Sequence, residues 1–286
     1  MKISHILNSK RTISFEFYPP RTPTGIKDVF DAINILKEYN PDFISITSGA
    51  GGTTRALTEE IAVRAHTETD LNVVAHVTCG GQNRDDIDQI LRRLENAGIE
   101  NIVALRGDLP KGEDVFQAAD GGFAHASGLI DYAKANFNFD IAGACYPESH
   151  VESSDIDSDI YYTKKKVESG ADVLISQLFF DNTYFFEFVE RARNKGVLVP
   201  IVAGLLPVLS ASQIRRFTLL CGATIPKRLE TLLTKYEKDD YAMREAGIEY
   251  ASEQVDELLH NGVQGIHFYA LNRNYSISRI LDNLKL

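Results

Sequence analysis

The chain has 286 residues, 44% of them hydrophobic, 24% charged and 9% aromatic, the balance of a globular protein with a large core, which excludes disordered and collagen-like chains. Its 30 Lys and Arg against 40 Asp and Glu give a net charge of -10 without any long basic run, so the average surface repels a phosphate backbone and nucleic acid is excluded as a partner. Cys79, Cys145 and Cys221 show no C-x-x-C spacing, and no signal-peptide core or run of ~18 apolar residues occurs, so a reduced, cytoplasmic protein without a membrane partner is expected.

Short β-rich runs alternate with amphipathic helical segments along the chain. The runs are residues 12–17 (TISFEF), 43–47 (FISIT), 73–78 (VVAHVT), 101–105 (NIVAL), 140–145 (DIAGAC), 173–177 (VLISQ), 200–202 (PIV) and 265–269 (GIHFY). Successive run ends lie 25 to 40 residues apart, near the ~30 of a βαβ unit, except the last pair, which are 67 apart and leave room for extra helices. Between runs, Thr24 opens a helix with Ile26, Phe30 and Ile33 on one face. Ile87, Ile90, Leu91 and Leu94 mark another, with Asn83 as cap and Gly98 as stop.

Near-continuous apolar strands separated by helices imply a parallel sheet covered on its outside, and eight such units closing on themselves make an α/β fold of the (β/α)8 TIM-barrel type with extra helices between strands 7 and 8. A doubly wound sheet would favour a Gly-rich first turn, but residues 18–25 read YPPRTPTG without G-x-G-x-x-G. With no linker composition along it, the chain is read as one domain, 1–286.

A barrel of this kind builds its site at the C-terminal ends of its strands. Those ends carry Glu16, Thr47, His76, Arg106, Asp108, Tyr146, His150, Gln177, Tyr269 and Arg273. Each could simply mark a strand-to-loop transition, yet Glu16 within FEFYPP and His76 within VVAHVT would cost about 1 to 3 kcal/mol or more if buried without partners. A Schiff-base aldolase lacks its lysine, since no run contains one. A metal hydrolase could recruit Glu16, His76, Asp108 and His150, but no H-x-H or H-E-x-x-H spacing occurs, and no metal site is expected. A cofactor enzyme holding a large anionic ligand suits GAGGTT at 49–54 and Arg106-Gly107-Asp108.

From SFEFYPP (14–20) onward, the motifs TSGAGG (47–52), AHVTC (75–79), NIVALRGDLP (101–110), YPESH (146–150), SQLFFD (176–181), GLLP (204–207) and HFYALNR (267–273) occur in the order seen in the methylenetetrahydrofolate reductase family, which the chain resembles over residues 14–286. The resemblance implies a flavin-binding barrel that reduces 5,10-methylenetetrahydrofolate to 5-methyltetrahydrofolate by ping-pong hydride transfer through FAD, with NADH or NADPH as reductant. It implies a role in one-carbon metabolism and methionine biosynthesis. It also implies a homo-oligomer of the bacterial catalytic type, without the S-adenosylmethionine-binding regulatory region.

By resemblance, Thr47, His76, Leu105, Arg106, Gly107, Asp108, Ala126, Tyr146, His150, Asp159 and Lys166 match flavin-binding positions, with Arg106 and Lys166 as countercharges to the FAD phosphates. Glu16 matches the general acid that opens the folate ring, and its apolar flanks Phe15 and Phe17 suggest a raised pKa, although neighbours in a strand point to opposite faces. Asp108 matches a carboxylate that stabilises the cationic iminium. Gln177, Gln213, Tyr269 and Arg273 match folate positions, Arg273 for the glutamate tail. Phe217 matches an aromatic that stacks on nicotinamide or folate; its spacing from Ile214 equally describes a helix-core residue. Ser48, His125 and Ala203 depart from the family pattern. The alternative reading is a non-catalytic FAD-binding barrel subunit of a larger redox complex.

Overall fold

The structure, a computed structural model, describes residues 1–20, 22–48, 55–108 and 116–286; the stretch 49–54 and residues 109–110 of the sequence motifs lie outside these. Among the described residues the apolar runs form strands β1 (Thr12–Phe17), β2 (Phe43–Ile46), β3 (Val73–Thr78), β4 (Asn101–Leu105), β5 (Asp140–Cys145), β6 (Val173–Ser176), β7 (Ile201–Leu205) and β8 (Gly265–Tyr269). Each pairs in parallel with the next and β8 pairs with β1, closing a barrel. The expected (β/α)8 fold is therefore observed, with β7 starting one residue later than the sequence run and reaching Leu205.

Helices α1 (Ile3–Ser9), α2 (Ile26–Lys37), α3 (Arg55–Thr69), α4 (Arg84–Asn96), α5 (Ala126–Asn136), α6 (Ile156–Glu168) and α7 (Asn182–Asn194) precede α8 (Ala211–Cys221), α9 (Lys227–Lys235) and α10 (Asp240–His260), which fill the long β7–β8 connection before α11 (Tyr275–Leu284). Local sequence explains their ends. Asn83 and Asp86 form a reciprocal capping box at α4, whose Ile87, Ile90, Leu91 and Leu94 are buried, and the expected stop Gly98 has φ +83°. Residues 23–25 form a short 3-10 turn, so α2 begins at Ile26 and not at Thr24.

The pleat sorts side chains between two cores. Phe15 and Phe17 face outward into an apolar layer with α2 residues such as Val29 and Ile33. Ser14 and Glu16, on the alternate face, point into the barrel, where Ser14 is in register with Phe43 and His267, and Glu16 with Ser45 and Tyr269. Phe43, Val74, Val103, Ala142, Val173 and Val202 fill the lower interior with Ile3 and Leu7 of α1. Helix α1 thus seals the floor. Two of its backbone N–H groups donate to the strands: Ile3 to Asn101 Oδ1 at 2.9 Å and Ser4 to Asp140 Oδ2 at 2.7 Å. A third cluster packs α8–α10 against the ends of β6 and β7 through Leu178, Leu206, Ile214, Leu229 and Met243.

Candidate active site

Above the apolar floor the inward positions turn polar. Ser14 Oγ donates to the Ile266 carbonyl at 3.2 Å and so accepts from His267 Nδ1 at 2.8 Å, which assigns the Nδ1 proton of this fully buried ring. Phe43 stacks on the same ring with centroids 5.8 Å apart, and Tyr269 meets it edge-on at 5.7 Å. The other nitrogen, His267 Nε2, lies 3.4 Å from Glu16 Oε2 and 3.3 Å from Ser45 Oγ, and Ser45 also donates to Glu16 Oε2 at 3.3 Å. His76 Nε2 approaches the same oxygen at 3.3 Å from the opposite side. Three side chains therefore converge on one carboxylate oxygen.

This environment corrects the expectation of a raised pKa for Glu16. Burial does push the acid upward, but hydrogen bonds from His267 and His76, with their charges, outweigh it and bring the group from 4.5 down to about 2. The physical reason is partner geometry. Phe15 and Phe17 contribute no desolvation because they belong to the outer layer, whereas the histidines come from β3 and β8.

Tyr269 is placed by an absence of side chain opposite it. A Cβ on Gly204 would stand 2.1 Å from the Ser176 carbonyl oxygen and 2.7 Å from the Tyr269 hydroxyl, so only glycine permits the tyrosine to donate to that carbonyl at 2.6 Å. Burial pushes the Tyr269 pKa well above its usual range, which keeps the hydroxyl a donor.

Glu16 opens into a cleft of ≈ 2070 Å³ at the C-terminal mouth of the barrel. Thr47, His76, Leu105, Arg106, Gly107, Asp108, Tyr146, His150, Gln177, Gln213, Phe217, Tyr269 and Arg273 also line it, so the structure gathers these candidates from seven strand ends and α8. Ser48 lines it too. Ala126, Asp159, Lys166 and His125 do not. Lys166 stands behind the wall, donating to the Ala144 carbonyl at 2.8 Å with its amine 5.4 Å from the Tyr146 ring centroid. Burial lowers its pKa, against the pull of Asp159. Burial raises Asp159, which accepts from His150 N–H and Ser153 Oγ, both at 3.2 Å. Phe217 is half-buried and faces the cleft, while Ile214 is the core residue of that helix.

Arg106 is already engaged, its two Nη atoms each 2.6 Å from a Glu152 oxygen and its guanidinium 4.8 Å over Phe116. Sequence reasoning passed over Glu152, and also Ser14, Ser45 and His267. The last three carried a signal: the inward alternation Thr12, Ser14, Glu16 in β1, Phe43, Ser45 in β2 and Gly265, His267, Tyr269 in β8. Glu152 lies in a loop and carried none.

A closed barrel with an apolar floor and a carboxylate-histidine cluster at its C-terminal mouth defines a (β/α)8 protein of the kind that keeps its chemistry in the loops above the strands. The family profile described as methylenetetrahydrofolate reductase matches residues 2–285. The chain is 34% identical over 272 residues to the 5,10-methylenetetrahydrofolate reductase of Salmonella typhimurium, covering 94% of this chain and 90% of that one, and it belongs to the methylenetetrahydrofolate reductase family. It is 37% identical over 297 residues to methylenetetrahydrofolate reductase (NADH) 1 of Arabidopsis thaliana and spans about half of that protein's length, 50%. Among solved structures, a Clostridium thermocellum protein that binds two copies of 5-methyl-5,6,7,8-tetrahydrofolic acid shares the fold at a TM-score of 0.64 and 15% identity, with 98% of this chain and 96% of that one covered. Among the described residues no helix is long and apolar enough to cross a membrane, and no group of His, Cys, Asp and Glu could hold a metal ion.

Proposed function

We propose that residues 1–286 form one flavin-binding barrel that reduces 5,10-methylenetetrahydrofolate to 5-methyltetrahydrofolate with NAD(P)H, a step of one-carbon metabolism that feeds methionine biosynthesis. The observation that carries this reading is Glu16, a carboxylate held by His267, His76 and Ser45 at the base of a cleft lined by the residues that match the family's flavin and folate positions.

The residues present fit FAD. Gly107 at φ +94° brings backbone to the cleft wall without a side chain, and a Cβ on Gly80 would close to 3.2 Å from the Arg106 carbonyl. Thr47, His76, Leu105, Arg106, Gly107, Asp108, Tyr146 and His150 would hold the cofactor. Lys166, Asp159 and Ala126 would support it from behind the wall, and Arg106 would exchange or share Glu152 as it meets the phosphates. When bound, FAD carries hydride from the nicotinamide to the folate.

The chain's own part is proton management and orientation. With Nδ1 committed to Ser14, His267 faces Glu16 through Nε2, the atom through which a proton can pass between them. In the open cleft Glu16 is ionised, in keeping with its low pKa. Folate above Glu16 displaces the remaining water, which penalises the carboxylate and moves the proton onto it, ready for the ring nitrogen whose protonation opens the five-membered ring. Asp108 supplies negative charge for the cation so formed. Gln177, Gln213, Tyr269 and Arg273 orient the folate, and Phe217 offers a face for stacking.

The test is direct. The purified protein should carry or take up flavin absorbance, oxidise NADH or NADPH with menadione, and reduce methylenetetrahydrofolate. Absence of both flavin binding and menadione reduction would sink the proposal.

A further inference from the structure

The acidic residue of the YPESH segment, Glu148, takes no part in the proton and hydride steps, yet it stands where three walls of the cleft meet. Its Oε2 accepts from the backbone N–H of Thr224 at 2.9 Å, two residues beyond Gly222, which ends α8 in the left-handed region at φ +75°. Its Oε1 is buried with no hydrogen-bond partner among the described residues. Around it Tyr146, Gln177, Leu178, Cys221 and Ala223 enclose a void of ≈ 10 Å³, no larger than one water. A carboxylate with one oxygen unanswered there costs free energy, and what the position gains is a grip on the end of α8.

That helix is otherwise held shallowly. Of its 11 residues Ala211, Ile214 and Thr218 are buried, and the Thr218 hydroxyl is spent within the helix, against the Ile214 and Arg215 carbonyls at 3.0 and 3.1 Å. Leu219 and Leu220 of its last turn are 83% and 63% exposed. Arg215 pairs with Glu230, but that residue belongs to α9 of the same β7–β8 connection. Among the described residues, the bond from Thr224 to Glu148 is the one hydrogen bond that joins residues 211–226 to a strand-end loop other than their own. Val151 adds a contact beside it, since a Cβ on Gly222 would stand 2.9 Å from Val151 Cγ1. The β5–α6 loop, whose Tyr146 and His150 line the cleft, thus meets the C-terminal end of the helix that carries Gln213 and Phe217.

We propose that Glu148 is a positioning residue for α8: through Thr224 it fixes the helix so that Gln213 and Phe217 face the cleft at a set separation from Tyr146 on the flavin wall. The inference rests on the folate and nicotinamide reading of those two side chains given above. The role requires an acceptor at the place of Oε2 and not a charge, because the donor is a backbone N–H. It acts on both ligands that use α8 and spares the flavin, since the hydrogen bond of Glu148 runs to Thr224 and to none of the residues that would hold FAD.

Steady-state kinetics and FAD titration on the full chain separate this role from a merely structural one. In Glu148→Ala the KM for methylenetetrahydrofolate, and the KM for NADH with menadione as acceptor, should each rise about tenfold, the effect of losing one hydrogen bond, while kcat and the Kd for FAD stay within about twofold. Glu148→Gln keeps an acceptor at the same reach and should hold both KM values within about twofold of the wild type. Glu148→Asp keeps the charge and withdraws the acceptor by one methylene; it should raise both KM values about threefold, and it gives the same reading if the alanine variant does not fold. Leu7→Ala, at the barrel floor, controls for lost stability and should leave both KM values unchanged. Unchanged KM values in Glu148→Ala, an equal rise in Glu148→Gln, a matching rise in Leu7→Ala, or a loss of FAD in step with KM each overturn the positioning role and leave the reductase reading intact. A wild type that neither binds FAD nor turns over the folate removes that reading, and the positioning role with it.

Discussion

The lower and upper halves of the barrel interior are made by the same strands in the same pleat, yet one is a sealed apolar plug and the other a polar cluster. Below, Phe43, Val74, Val103, Val173 and Val202 meet Ile3 and Leu7 of the floor helix. One step up, the inward positions become Glu16, His76, His267 and Tyr269 with serines between them. The difference teaches that this fold separates its cohesion from its chemistry along the barrel axis. The separation is incomplete at one place, where Phe43 of the lower half carries the face of His267.

The sharpest way to test that separation is Glu16→Gln. It should reduce the folate half-reaction by about a hundredfold to ten-thousandfold while flavin reduction by NADH, followed by stopped-flow or with menadione, stays within a few-fold. Equal damage to both half-reactions would mean that Glu16 shapes the cleft and is not the acid. In the opposite half, Leu7→Ala should cost about 2–5 kcal/mol in denaturant unfolding, with kcat retained under native conditions. A comparable fall in kcat would show that the floor reaches the chemistry.

Gly204→Ala lies at the boundary and should disturb both properties. Its Cβ would have to share space with the Ser176 carbonyl, so about 1–3 kcal/mol of stability should be lost, with a raised KM for folate as Tyr269 is displaced. An unchanged KM would separate Tyr269 from folate binding.

The smallest effect is the pH dependence. The folded pKa of Glu16 is below its ordinary 4.5, so the unfolded chain binds the proton more readily. Its stabilisation is therefore complete above about pH 4.5 and is lost as the pH falls through that value toward 2. The difference in unfolding free energy between the wild type and Glu16→Gln should shrink over that window. Ser14→Ala, which frees Nδ1 of His267, should move the midpoint of this difference curve, and a midpoint that does not move would detach Ser14 from the proton network.

Much of this was legible in the primary structure because it depends on short-range periodicity. The eight strands follow from runs of apolar residues, the α4 boundaries from Asn83 and Gly98, and the long β7–β8 connection from spacing alone. Glu16 was legible as a polar residue in an apolar run, but its electrostatics were not. The nearby phenylalanines face the wrong way, and the partner His267 is 251 residues distant along the chain. Lys166 and Asp159 were recognisable only by the family resemblance, whereas their position behind Tyr146 depends on how α6 packs against β5.

The floor helix has a consequence for the order in which the molecule assembles. Although α1 precedes every strand of the barrel in the chain, the groups that receive its backbone N–H donors, Asn101 and Asp140, follow it by 98 and 136 residues. Its apolar face can dock only once β4 and β5 exist, so during synthesis α1 must wait while nearly half of the chain emerges. Closure of β1 onto β8 comes later still. The stopper precedes the barrel in the chain and is seated late, which makes α1 docking a natural reporter of barrel completion in refolding experiments.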